Sequence, residues 1–363
     1  MTVAQLRVAV PAEHAGVDPR TGAGRVWRSV LPHLREQADV RVVRRRLVRR
    51  PDVWLLPAHG EPVSRREPVV AMLHGVAWLT DPGVLDYMPR AYAEPFAAMT
   101  EAMLAKAAFA VAPSEFTARA LTESATMPAE RVAVVPLGVD HDAFNLRAHG
   151  GRRLVADALG EGRPYVLFAA IPSIRQKNLV ALKEAMAQLV SAGLPHALAV
   201  AGGTAGGESP EELREIAAGP PGLDGRVAWL GHLEDRELAG LMAEADAFCL
   251  PSLFDAFPLT ALEALACGAP AVFSNRGALP ELAGGAAILS EPDPDSLAGA
   301  LRRVLGDDAL RAQLRESARA RAAEFSWERT ARGWLAAMER AAALGPRDGE
   351  REPRRAQAPR ASR

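Results

Sequence analysis

Residues 251–272 read PSLFDAFPLTALEALACGAPAV. They join two short apolar runs, AFCLPS (247–252) and APAVFSN (269–275), each with the length and bulk of a buried strand. The spacing predicts a helix between them, over about 258–267. Pro258 suits a first helical position, where no N–H is needed. Gly268 suits the position just past the helix end, and Pro270 stops it from continuing. Strand, helix and strand in alternation indicate a parallel sheet with helices on both faces.

The same alternation extends outward in both directions. Strand-like runs stand at 5–10, 40–43, 53–56, 69–74, 108–112 and 131–136. Helices are expected over 26–37, where Pro32 should kink the helix or mark a short first turn, over 92–107, and over 114–124 with Ser114 as N-cap. The polar, Gly-rich stretch 145–163 reads as a boundary. Beyond it the pattern restarts, with strands at 165–170, 197–203 and 226–231 and helices at 178–192, 210–218, 237–245 and 295–306. Helical periodicity continues through 308–343. The fold class is therefore α/β, with two Rossmann-like halves facing across a cleft. The expected domains are 1–150, 151–325, a C-terminal helix over 326–344 and a disordered basic tail over 345–363.

Composition narrows the function. The 363 residues suffice for two domains with their own cores. A net charge of −1 gives no electrostatic footprint for nucleic acid or an anionic membrane. The two cysteines, Cys249 and Cys267, lie in apolar runs without metal-ligand or disulfide spacing, so a reduced, cytoplasmic setting is expected and no metal. The N-terminus lacks a basic segment followed by an apolar run, so no signal peptide is expected. No amphipathic basic helix is evident, so membrane contact is at most peripheral.

Chemistry-bearing residues cluster at strand ends. Asp255 lies in the loop before the 258–267 helix, and Glu263 stands eight residues later. Two carboxylates there can accept strong hydrogen bonds from hydroxyls, and the helix N-terminus favours phosphate. The plain alternative is a loop aspartate that caps a helix and a solvated glutamate. Arg175 and Lys177, after the 165–170 strand, can clamp a diphosphate or form a solvated basic turn. In TGAG (21–24), Gly22 and Gly24 allow backbone to approach a phosphate closely, although many such turns carry glycine. His74 ends the 69–74 run, where a lone histidine is usually structural. His232 reads as structural or as the edge of a nucleotide site.

Taken together, these segments resemble glycosyltransferase family four, a retaining family with the GT-B fold. Glu263-Ala-Leu-Ala-Cys-Gly-Ala-Pro270 matches the end of its signature, and 226–252, 277–301, 113–121, 134–140 and 325–340 resemble the segments around it. The resemblance implies that Glu263 holds the ribose of a nucleotide and Asp255 the donor sugar. The backbone at Phe257, Leu259 and Thr260 would face the sugar or the diphosphate. Arg175 and Lys177 would bind the diphosphate, Gly22 and Gly24 would lie near the donor phosphates or the acceptor, and His74 would line the sugar site.

The implied activity is transfer of a hexose-type sugar from a UDP- or GDP-sugar to a glycan, lipid-linked or small-molecule hydroxyl. No cofactor is required beyond that donor. Asp255 replaces the usual glutamate, and Ala256 and Pro258 replace two glycines, so one amide donor to the sugar is lost at Pro258. A nucleotide-sugar epimerase or phosphorylase on the same fold, or a non-catalytic nucleotide-sugar-binding subunit, are the rival readings. A nicotinamide-dependent dehydrogenase is disfavoured because GVDPRTGAG lacks GxGxxG spacing.

Overall fold

The computed structural model describes residues 5–12, 22–43, 50–57, 67–79, 81, 83, 90–124, 126–171, 175–203, 211, 214–215 and 218–344. The 345–363 tail and most of the expected 210–218 helix lie outside them.

The first half forms strands β1 (Arg7–Pro11), β2 (Asp39–Val43), β3 (Val53–Pro57), β4 (Val69–Met72), β5 (Phe109–Ala112) and β6 (Val132–Val134). They make one parallel sheet in the order β2-β1-β3-β4-β5-β6. Its helices are α1 (Gly22–Gln37), α2 (Arg90–Lys106) and α3 (Glu115–Glu123). Strands β3, β4 and β5 are buried along their whole length, which is why they read as continuous apolar runs.

The second half begins with α4 (Gly151–Leu159). Strands β7 (Tyr165–Ala169), β8 (Ala197–Ala201), β9 (Val227–Gly231), β10 (Ala247–Leu250), β11 (Ala271–Ser274) and β12 (Ile288–Ser290) follow. The helices are α5 (Leu179–Ser191), α6 (Asp235–Glu244), α7 (Leu259–Ala266), α8 (Leu279–Ala283), α9 (Pro294–Gly306), α10 (Asp308–Ala322) and α11 (Trp327–Leu344). This sheet is also parallel, in the order β12-β11-β10-β7-β8-β9. Its direction of winding reverses between β7 and β10, and open α/β sheets bind ligands at such a reversal.

Three local expectations are corrected. Helix α1 starts at Gly22 rather than Val26 and runs past the exposed Pro32. The polar stretch 145–163 contains helix α4, set between left-handed glycines at 150 and 160. The 308–343 periodicity resolves into α10 and α11, the latter being the C-terminal helix expected over 326–344. Ser326 Oγ accepts from Arg329 N at 3.3 Å at the break, and Phe325 is buried there. Pro258 is the N-cap of α7 rather than its first helical residue.

Helix α11 returns to the first half, as the fold class implies. Trp334 meets Trp27 of α1 edge-on at 5.6 Å, and Thr330 Oγ1 donates to Pro136 O at 2.8 Å. Trp327, Ala331, Trp334, Ala337, Met338 and Ala341 join the core beneath the first sheet. The crossing requires a glycine at position 138, because a Cβ there would sit 2.2 Å from Trp327 N. Among the described residues no helix is long and apolar enough to cross a membrane.

Gly138→Ala is expected to destabilise the protein by about 1–3 kcal/mol, the usual cost of overpacking. Gly162→Ala is the control, since its added methyl meets no atom within 4 Å. Thermal unfolding of both variants checks this, and equal midpoints would contradict the packing argument.

Candidate active site

The β7–β10 reversal places two loops side by side at the strand ends. The loop after β7 ends in a short turn, Arg175–Lys177, and the loop after β10 carries residues 251–258. Leu253 N donates to Gln176 O at 2.8 Å, and the Gln176 amide donates to Phe254 O. Asn178 Nδ2 donates to Pro251 O at 3.2 Å and Pro292 O at 2.8 Å from a left-handed backbone, φ 57°. These bonds fix Lys177 against Asp255, with Nζ to Oδ1 at 2.5 Å. Asp255 Oδ2 is buried without a hydrogen-bond partner. Gly277 packs so closely behind Asp255 that a Cβ there would lie 2.5 Å from its carbonyl oxygen.

The two halves meet over this loop. Ser114 Oγ donates to Ala256 O at 2.7 Å, Phe254 packs on Phe116 with ring centres 5.8 Å apart, and Glu281 of α8 accepts from Glu115 N at 3.0 Å. Between the halves lies a cavity of about 490 Å³. Gly22, His74, Lys177, Asp255, Phe257, Leu259 and Thr260 all line it. Pro258 provides no side-chain cap for α7, and the first-turn amides of Leu259 and Thr260 have no intrahelical carbonyl to bond. Cation, free helix end and carboxylate therefore face one space of ligand size.

Three expected residues lie elsewhere. Arg175 is exposed and outside this cavity. Gly24 is buried in the first turn of α1 and does not line it, so the TGAG glycines open a helix rather than form a loop there. Glu263 lines a second, adjoining cavity of about 600 Å³. Arg25 lines both cavities. Its guanidinium contacts Glu263 Oε1 at 2.5 Å and also Asp235 at the start of α6.

Sequence reasoning missed Arg25, since nothing local pairs it with a residue 238 positions away. It also passed over Gly202 and Gly203, which floor the first cavity at the end of β8. A Cβ on Gly202 would lie 1.8 Å from Ala170 O, at φ 144°. A glycine pair ending a parallel strand was the available signal. His232 and Leu233 line the same wall.

Residues 157–321 match the family described as glycosyl transferases group 1, and residues 6–143 match glycosyltransferase family 4. The two matches together span most of the chain, which belongs to glycosyltransferase family 4. One relative of this family-four chain is the MMP alpha-(1->4)-mannosyltransferase of Mycolicibacterium hassiacum. It is 34% identical over 233 residues, covering 61% of this chain and 51% of the relative. Another, the GDP-mannose-dependent alpha-(1-6)-phosphatidylinositol dimannoside mannosyltransferase of Mycobacterium tuberculosis, is 32% identical over 214 residues, covering 58% and 52%. The chain spans about half the length of these curated relatives. HepE of Anabaena, solved with UDP and glucose, superposes with a TM-score of 0.70 at 17% identity, covering 92% of this chain and 99% of HepE. That likeness is one of fold, GT-B.

Burial pushes the Glu263 carboxyl above its ordinary value near 4.5; Arg25 opposes this and Asp235 adds to it. A carboxyl raised in the folded state contributes stability that is complete below its unfolded value and lost as pH rises through its folded value. Glu263→Gln is therefore expected to hold or raise the unliganded unfolding temperature at neutral pH. Its advantage should grow upward from about pH 4.5. A lower temperature at every pH would make Glu263 a structural residue.

Proposed function

We propose that this chain transfers a hexose-type sugar from a nucleoside diphosphate donor to an acceptor hydroxyl, with retention at the anomeric carbon. The observation that carries the reading is the Lys177–Asp255 pair beside the uncapped start of α7 in the cavity between the halves. Lys177 and the amides of Leu259 and Thr260 bind the donor diphosphate. Asp255 accepts from a donor sugar hydroxyl through Oδ2, Glu263 accepts from the ribose, and His74 walls the sugar. The base lies along Gly202, Gly203 and His232. Arg175 stands at the outer side of its turn, so the diphosphate role rests mainly on Lys177.

The bond from the anomeric carbon to the diphosphate oxygen breaks, and its electron pair leaves with the diphosphate. Lys177 and the helix amides stabilise that charge, which requires no reorganisation because they are already fixed. The acceptor oxygen bonds to the same face of the anomeric carbon. Its proton passes to a phosphate oxygen of the leaving group, so no protein nucleophile is needed. Docking of the two halves keeps water from the reacting centre.

A UDP- or GDP-sugar donor is supported by the GDP-mannose dependence in one relative's name and the UDP bound to HepE. The acceptor is a glycan, a lipid-linked sugar or a small metabolite. A cytoplasmic setting is supported by the unpaired, buried Cys249 and Cys267 thiols, which burial pushes up in pKa and keeps inert.

The test is nucleoside diphosphate release from GDP-mannose and UDP-glucose, with and without candidate acceptors. Release that needs an acceptor supports transfer, and Lys177→Ala should lower kcat by about 10²–10³. UDP or GDP at a hundred times its dissociation constant should add about 2.7 kcal/mol of stability. No stabilisation by either nucleotide, with no release, would refute the reading.

A further inference from the structure

Arg25 stands in the first turn of α1, where the positive end of the helix disfavours a cation. Two carboxylates of the opposite half hold it there, and its guanidinium carbon lies 5.7 Å from the centre of the Phe144 ring. Its side chain is 19% exposed and that of Glu263 is 5% exposed. Glu263 Oε1 is taken by Arg25, whereas Oε2 is buried with no hydrogen-bond partner. A buried carboxylate oxygen left bare in this way is costly unless a ligand donor completes it.

We propose that Arg25 is a positioning residue for the donor nucleotide: it reaches across the cleft, fixes Glu263 by Oε1, and so presents Oε2 to a ribose hydroxyl. The inference rests on the donor-binding role given to Glu263 above. It adds that ribose recognition belongs to the docked pair of halves rather than to the second half alone. Separating the halves removes Arg25 and leaves Glu263 without its cation.

Arg25 also opposes the effect of burial on the charge of Glu263. From α1 it is the cation in contact, while Arg28 reaches only Asp235, at 3.4 Å, and His33 lines the same cavity with its Nδ1 4.0 Å from Glu36. From α6, Asp235 pushes the Glu263 carboxyl up, while Asp140 and Asp142 of the connecting segment and Glu328 of α11 line the same cavity. His141 faces that cavity too, with its Nε2 on Phe325 O at 2.9 Å. On the α10 side, Arg315 is spent on the carbonyls of Ala243, Ala245 and Gly268, and Arg319 packs against Gly268. Cys267, on Glu263's own helix end, stays a neutral thiol. With Arg25 removed, burial and Asp235 together favour the protonated carboxyl, and nucleotide affinity then rises with pH as the carboxylate forms.

The experiment is calorimetric titration of UDP, GDP and their 2′-deoxy forms into wild type, Arg25→Ala, Arg25→Lys, Glu263→Gln and the Arg25→Ala/Glu263→Gln double variant. In wild type the affinity should vary less with pH than in Arg25→Ala, and loss of the 2′-hydroxyl should weaken it about tenfold. In Arg25→Ala, binding of the ribonucleotide should be about tenfold weaker at the acid end of the folded range and recover as pH rises, with 2′-hydroxyl discrimination largely lost there. Arg25→Lys should restore part of both. The double variant should bind no more weakly than Glu263→Gln. Unliganded melting curves confirm that each variant folds.

Wild-type binding in Arg25→Ala would overturn the proposal. So would a loss that is constant with pH, spares 2′-hydroxyl discrimination and adds to that of Glu263→Gln. Normal nucleotide binding in Glu263→Gln would instead remove the donor-site reading on which the proposal stands.

Discussion

Strand β7 pairs with its successor β8 on one side and with β10 on the other, and the site depends on this second pairing. The pairing aligns Val166 with Ala247 and Leu167 with Phe248, so the two strands end together. Lys177 leaves one strand end and Asp255 the other, and the backbone bonds between their loops bring the side chains to 2.5 Å. A slip of one residue would turn every side chain of a buried strand to the opposite face. The chemistry at the loops is thus held by packing several residues below it, in a core of fully buried Leu167, Phe168, Phe248 and Leu250.

The second half lacks a complete site by itself. His74, Gly22 and Arg25 come from the first half, and α11 ties the end of the chain back to α1 through Trp334 and Trp27. Phe257 packs against both cores, and Leu259 against that of the first half. The loop that carries Asp255 is consequently gripped from both sides. Two buried carboxylate oxygens, Asp255 Oδ2 and Glu263 Oε2, are nevertheless left without partners. Such atoms weaken a fold, and their presence in two adjoining cavities, Asp255 beside a lysine and an open helix end and Glu263 beside Arg25, is the mark of a site shaped for a ligand rather than for stability.

Much of this was legible in the sequence because parallel strands buried on both faces announce themselves as apolar runs. The 251–272 stretch carried its own helix stop at Gly268 and placed two carboxylates eight residues apart. Lys177 could be picked out because it follows a strand end. The cross-cleft partners could not. Arg25 resembles any helix arginine until the fold brings Glu263 to it, and Gly202 resembles any glycine until Ala170 is seen to leave no room for a Cβ. Helix α4 was obscured by flanking glycines that read as a linker yet serve as its left-handed ends.

The central claim is that one nucleoside diphosphate lies across the two halves. Soaking GDP or UDP into crystals of the protein tests it most directly. The account predicts difference density with the diphosphate against Lys177 and the start of α7, the ribose at Glu263 and the base along Gly202 and Gly203. Nucleotide bound outside the cleft, or bound with its diphosphate remote from Lys177, would contradict it.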